Sequence, residues 1–349
     1  ITNIMENTIN EMTIVPITGQ VISETTMGLD VPEFIEAEEV FENTNHPNFI
    51  ESNTQATTLD ALKDQCIVPT FSDNTLTIAH QNFIDVVYKA AERVYGELTP
   101  IECRVSHPVI GRVPSALHKN VKDLRENEKT LFYQRLAWCC QVKNLTREIN
   151  GQSVHLCIGG VRAYNEDKLY AKKAPEKFKI FVGWRVRVCS NLCLTCDGYS
   201  GTVECMSTLD LFEKACQLFT QFVSKKEDNL VLLENLGRTK ITENQFCQII
   251  GRLRLYQALP AIERKGLPEF DLGDNAVNAA TRNYITNPNF GKKSGDMSCW
   301  NLMQLLNEAA KLSYIDTWLS RNQNCTNFAI GIQKALEGND TEGYTWFLN

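Results

Sequence analysis

Four cations recur along one short run of the chain, Lys177, Lys179, Arg185 and Arg187, with Phe181 among them. They alternate with Phe178, Ile180, Val182, Trp184, Val186 and Val188, and a period of two is that of a strand with two unlike faces. Cationic side chains neutralise phosphates and release condensed counterions. An aromatic ring set among them gives an unpaired base a surface to stack on. The chemistry this spacing points to is binding of single-stranded nucleic acid on the open side of a sheet. Tyr133 and Arg135 fall on the matching side of an earlier run, Arg162 closes another, and Lys168, Lys172 and Lys173 flank them. The same pattern also fits the ordinary solvated face of a sheet that covers a core on its other side.

Three other constellations carry less. Zinc takes four thiolate or imidazole ligands, commonly from two tight pairs. Among Cys189, Cys193, Cys196 and Cys205 only Cys193 and Cys196 form a short pair, and on a strand those two point to opposite faces. No metal is assigned. Cys103, Ser106 and His107 could be read as a nucleophile and base, and a pocket converging on Arg104, His107 and Arg112 would favour an enzyme built on the 104–112 segment. Yet Pro108 and Pro114 break that region, and no acid is in place to orient the imidazole. Gly159-Gly160 lacks the flanking pattern of a phosphate-binding loop, so no cofactor is assigned either.

A sheet must position the cations. The runs 131–142, 152–163 and 177–189 read as a meander of antiparallel strands, with 144–151 as a turn and Gly159-Gly160 as a bulge or a close backbone approach. In the first run Phe132, Leu136, Trp138, Cys140 and Val142 share one face, opposite Tyr133, Arg135 and Gln141. Upstream, Thr58 caps a short helix, 67–71 and 75–80 read as short strands, and an amphipathic helix over 82–96 ends at Gly96. The proline-broken stretch 101–120 reads as a loop laid over the fold, and 121–129 as a short charged helix. From Ser207 the period becomes helical, with helices expected to about 223, over 229–236, after the cap Thr242, over 275–285, over 300–312 and over 327–336. The fold class is α+β: a central antiparallel meander with one basic face, an N-terminal strand–helix portion and a C-terminal helical half. An arm over 1–56 precedes an α+β region over 57–206, and a helical region over 207–349 packs on it.

Charge is unevenly spread along the chain. Residues 1–100 carry a net −13, residues 101–190 a net +9, and the whole chain −7. The first 56 residues are rich in Thr, Asn and Glu, with an acidic cluster at Glu33, Glu36, Glu38, Glu39 and Glu42, and read as a largely disordered arm. The cysteines, 13 in number, lie mostly in apolar runs, as buried thiols of a cytoplasmic protein do. No apolar run is long enough to span a membrane, so no membrane partner is expected.

Several strings stand out together: RVSHPVIGRVPSA (104–116), GGVRAYN (159–165), RVCSNLC (187–193), QIIGRLRLYQAL (248–259), WNLMQLLNEAAK (300–311) and SYIDTWLSRN (313–322). Over about residues 55–349 the chain resembles an uncharacterised domain-of-unknown-function family of gut anaerobes. RVCSN and the tryptophan-led helix at 300 are also similar to the broader phage/plasmid-like protein family. The resemblance implies residence on mobile elements, beside recombination and replication genes, and supplies no activity or catalytic residue. Pattern and resemblance together lead to a non-catalytic nucleic-acid-binding protein of mobile-element type, for single-strand binding or annealing. Its expected phosphate contacts are Arg135, Arg162, Lys177, Lys179, Arg185 and Arg187, with Tyr133 and Phe181 stacking. The alternatives are a protein-interaction or host-takeover protein with a protein partner and, more weakly, an enzyme using the 104–112 loop.

Overall fold

The computed structural model describes residues 47–349 except 117 and 200, so the expected disordered arm lies almost wholly outside the described residues. Its far end does not. Phe49 and Ile50 are buried, and strand β1 (Thr54–Thr57) opens the sheet. The last residues of the expected arm thus belong to the fold, because two large apolar side chains here have a core to enter.

A short helix α1 (Leu59–Gln65) follows, with Thr58 accepting a hydrogen bond from the Ala61 amide at its start. The segments expected as strands at 67–80 make only an isolated bridge between Thr70 and Leu76. The amphipathic helix α2 (His80–Tyr95) comes next and ends on Gly96 at φ 83°.

The main sheet is antiparallel throughout. β2 (Glu102–Ser106) lies between β1 and the long β5 (Leu136–Ile149). β6 (Gln152–Arg162) and β7 (Glu176–Val186) continue it, and β7 pairs further with the short β8 (Leu192–Cys193) and β9 (Thr202–Cys205). The 101–120 stretch is therefore not a loop over the fold. Pro108 sits in the gap between β2 and β3 (Val109–Arg112), where it interrupts no ladder. β3 pairs with β4 (Lys129–Tyr133), and since β4 leads directly into β5, this ribbon prolongs the β2–β5 pair past the end of the sheet. The expected helix at 121–129 is two 3-10 turns, Val121–Asp123 and Glu126–Glu128. The turn expected over 144–151 is confined to Asn150 and Gly151, at φ 50° and 74°, a conformation these two residue types tolerate. β5 instead absorbs the extra residues as a register shift between Gln141 and Thr146.

One face of the sheet holds the main core. Trp138, Cys140, Leu156, Ile158, Phe178, Ile180, Val182 and Trp184 point into it, as their period of two requires. Helix α2 lies on them, and so does α3 (Thr208–Arg238), one continuous helix where two were expected, capped by Ser207. Gly160 allows α2 to seat: a Cβ there would lie 2.5 Å from Phe83 Cζ and 2.7 Å from the Lys179 carbonyl oxygen. That is the close backbone approach, reached without a bulge, because β6 pairs in register with β7 through both glycines.

The other face is also covered. Helices α4 (Glu243–Ala258), α5 (Ala261–Arg264), α6 (Asp274–Thr286), α7 (Cys299–Ala310) and α8 (Ile315–Leu336) complete the C-terminal half. Ile315, Trp318 and Leu319 of α8 join Phe49 and Ile50 over Ala137, Cys139, Cys157, Val161 and Phe181. Polar bonds pin α7 to the turn after β7. Asn191 donates to the Gln304 carbonyl and side-chain oxygens, Asn307 to the Leu192 carbonyl, and Lys311 to the Cys189 carbonyl. The strings RVCSNLC and WNLMQLLNEAAK are thus two halves of one buried fastening.

Candidate nucleic-acid interface

The cations expected to share an open sheet face do not share one. α8 and the 47–50 segment cover that face, and a cation buried beneath them has to be neutralised where it stands. Arg185 is 6% exposed; it makes a paired contact with Glu102 at 2.7 and 3.1 Å and donates to Ser190 Oγ. Lys179 donates to Glu166 and to the Asp316 carbonyl. Arg162 lies on the opposite, main-core face, paired with Leu136; it is fully buried, held by Asp167 at 2.9 Å and Glu176 at 2.5 Å, with its guanidinium 4.2 Å from the Phe178 ring centroid. Arg135 is half-buried and ion-paired with Asp316 at 3.4 Å.

The two stacking candidates are interior residues. Phe181 meets Trp318 edge to face at 5.8 Å, and Tyr133 is 3% exposed against Tyr164. Among the expected phosphate contacts Arg187 is exposed and Lys177, like Arg135, half-buried; Lys177 and Arg187 sit at opposite ends of β7, about 33 Å apart at the rise of a strand. Sequence periodicity reported the alternation correctly; it could not report that a helix more than a hundred residues later would close over the second face.

The enzyme constellation does not assemble. Burial pushes the Cys103 thiol up, and Ser106 Oγ donates to the His107 carbonyl rather than to a base. Arg104 turns to Thr54 and Asn48, and Arg112 to the Lys119 carbonyl, so these residues do not converge on a pocket. Among the described residues, no three His, Cys, Asp or Glu side chains are grouped to hold a metal ion. Cys193 instead accepts from Gln304 Nε2.

What the fold does bring together lies at one end of the sheet. The stretch from the end of β6 to the first residues of β7 carries three acids, Glu166, Asp167 and Glu176, and all three turn inward, onto Lys179 and Arg162. Asp167 also accepts from the Lys177 amide, and Glu176 from the Ile78 amide. Burial raises both carboxyl groups, Glu176 to about 6, with Arg162 pulling the other way. The lysines of the same segment point elsewhere. Lys168, Lys172 and Lys173 are exposed, Lys177 partly so, and none of the four makes an ion pair among the described residues, although Glu204 lies opposite Lys177 across the β7–β9 pair.

Tyr170, in their midst, is 57% exposed and donates to the Arg112 carbonyl, which ties the segment to the β3–β4 ribbon. There Lys119 and Lys129 use up Glu128 and Glu126, leaving Lys122 and Arg125 exposed beside Asp123. The signal for this patch was in the sequence as Lys168, Lys172 and Lys173; it ranked behind the strand because nothing local says which charges a fold will neutralise.

Among the described residues, no helix is long and apolar enough to cross a membrane. No curated protein and no solved structure matches the chain. One family model does, described as a domain of unknown function, B. Theta gene description (DUF3871), and it covers residues 31–348, reaching further toward the N-terminus than the resemblance seen from the quoted strings. With nearly its whole length inside that match, the chain belongs to this family.

Proposed function

We propose that the chain is a non-catalytic nucleic-acid-binding protein of phage or plasmid type, and that it meets phosphates with the 168–177 segment and the adjoining β3–β4 ribbon rather than with the sheet face. The observation that carries this reading is the segregation of charge between β6 and β7. Glu166, Asp167 and Glu176 are spent on Arg162 and Lys179, so Lys168, Lys172 and Lys173 face solvent without an ion pair, while Lys177 has Glu204 opposite it across the β7–β9 pair. Tyr170 supplies an exposed ring among them, suited to an unpaired base. The test is anisotropy of labelled single-stranded DNA and RNA over a salt series, for the wild type and for the Lys168→Gln/Lys172→Gln/Lys173→Gln/Lys177→Gln variant. Each phosphate contact on a single strand contributes about 0.7 to the salt slope. Loss of four contacts lowers the slope by up to about 3 and weakens binding at low salt by more than tenfold. Equal binding by the two proteins, or none by the wild type at low salt, refutes the reading.

A second reading, a protein partner and no nucleic acid, draws on the groove between α2 and α3, where Val94, Phe212, Cys216 and Val223 line an apolar floor between Arg93 and Glu213. Recovery of the same protein partner from lysate with and without nuclease treatment separates the two.

A further inference from the structure

The lysine patch has a candidate occupant within the chain itself. Residues 1–46 contain nine Asp or Glu and no Lys or Arg, and five of those acids fall in 33–42, interleaved with Phe34, Ile35, Val40 and Phe41. This stretch lies inside the family match, which begins at residue 31.

Where the described chain starts fixes what the stretch can reach. Asn48 accepts from Arg104 Nη1 at 2.8 Å, and Thr54 pairs with Ser106, at the same end of the sheet as Lys177. From β1 to β7 is four strand spacings, about 19 Å. Residue 42 can lie up to about 17 Å from Pro47, and residue 33 up to about 46 Å, at the reach of an extended chain. The stretch therefore spans the distance to the patch with length to spare. A tether this short holds its end at an effective concentration in the millimolar range, enough for weak, screened ion pairs to be occupied together.

We infer that the acidic stretch 33–42 docks on Lys168, Lys172, Lys173 and Lys177 and competes with nucleic acid for them. The competition rests on the function proposed above; the docking does not. The acids from Ala163 to Glu176 are committed inward, which leaves Lys168, Lys172 and Lys173 without an ion pair, and the stretch offers five acids in ten residues with no cation among them.

Two measurements on the full chain test this. Zero-length carbodiimide crosslinking, mapped by mass spectrometry, is expected to join carboxylates of 33–42 to Lys168, Lys172, Lys173 or Lys177 at about 50 mM salt and to lose those links at about 500 mM, where the screening length is a few ångströms. The pattern should persist on dilution, as an intramolecular contact does. No links at low salt, or links only to lysines elsewhere, overturns the docking. The Glu33→Gln/Glu36→Gln/Glu38→Gln/Glu39→Gln/Glu42→Gln variant should bind an oligothymidylate of about 20 nucleotides roughly tenfold more tightly than the wild type at low salt, with the difference gone at high salt. Equal affinities alongside the crosslinks overturn the competition alone. Crosslinks with no oligonucleotide binding by either protein retire both the competition and the proposed function, while the docking stands.

Discussion

Replacing Arg162 with methionine removes the one cation shared by two buried carboxylates. The side chain is fully buried, as is that of Asp167, and Glu176 is nearly so. Methionine fills much of the same space between Tyr164 and Phe178, so the packing loss is small and the electrostatic loss dominates. Stripping one partner from a buried pair costs about 3–5 kcal/mol, and the bond to the Lys177 carbonyl adds about 1 kcal/mol. The expected loss near pH 8 is therefore about 4–6 kcal/mol. It shrinks toward about 2 kcal/mol near pH 5, because the stranded carboxylates can then take up protons, each unit of pKa being worth about 1.4 kcal/mol. Urea unfolding followed by tryptophan fluorescence reads this directly, since Trp138 and Trp184 lie in the core beneath. The decisive control is Arg162→Met/Asp167→Asn/Glu176→Gln, which removes the charges as well as the cation and should recover most of the loss. A single variant within about 1 kcal/mol of wild type near pH 8, or a triple variant no more stable than the single, refutes the assignment of this cluster as an ion-paired clamp on the 164–177 segment.

Two further outcomes follow from the same interior. Gly160→Ala should lower stability by about 1–3 kcal/mol, because the added methyl meets Phe83 and a backbone oxygen that cannot both give way; an unchanged thermal midpoint shows that α2 does not press on β6. Glu176 has its carboxyl raised from 4.5 to about 6 by burial, so its contribution to stability is complete below about pH 4.5 and is lost as pH rises through about 6, some 2 kcal/mol in all. His80, lowered to about 3 by its own burial, slopes the other way but is common to both proteins. Glu176→Gln should thus gain about 2 kcal/mol on the wild type between about pH 4 and pH 7, and parallel curves contradict it.

The alternation of 178–186 named the core face of β7 correctly because a period of two is a local property; Val188, beyond the end of the strand, is exposed. Caps were legible for the same reason: Thr58 and Thr242 each accept the expected backbone bond. Two kinds of feature were not legible. One was whether the opposite face stays open, which depends on α8 and on Phe49 and Ile50, far away in sequence. The other was the role of Pro108. A proline inside a run argues against a central strand only when it falls within the ladder, and here it falls between two strands. The site suffered from the first. Counting cations could not tell charges that hold the fold from charges left exposed; only the pairing of Glu166, Asp167 and Glu176 with Arg162 and Lys179 makes that separation.

The late closure of the second face bears on how the chain is made. The last strand, β9, ends at Cys205, and the tryptophan that seals Phe181 is not synthesised until position 318. At a ribosomal pace of about 5–20 residues per second, a nascent sheet waits for roughly 6–23 s with that face lacking the cover of α8. During the wait Lys179 and Arg185 are hydrated charges standing among Cys139, Cys157 and Phe181, and charges set into an apolar strand surface discourage it from pairing with other nascent chains. Side chains that end as buried ion pairs would have served first as guards against aggregation.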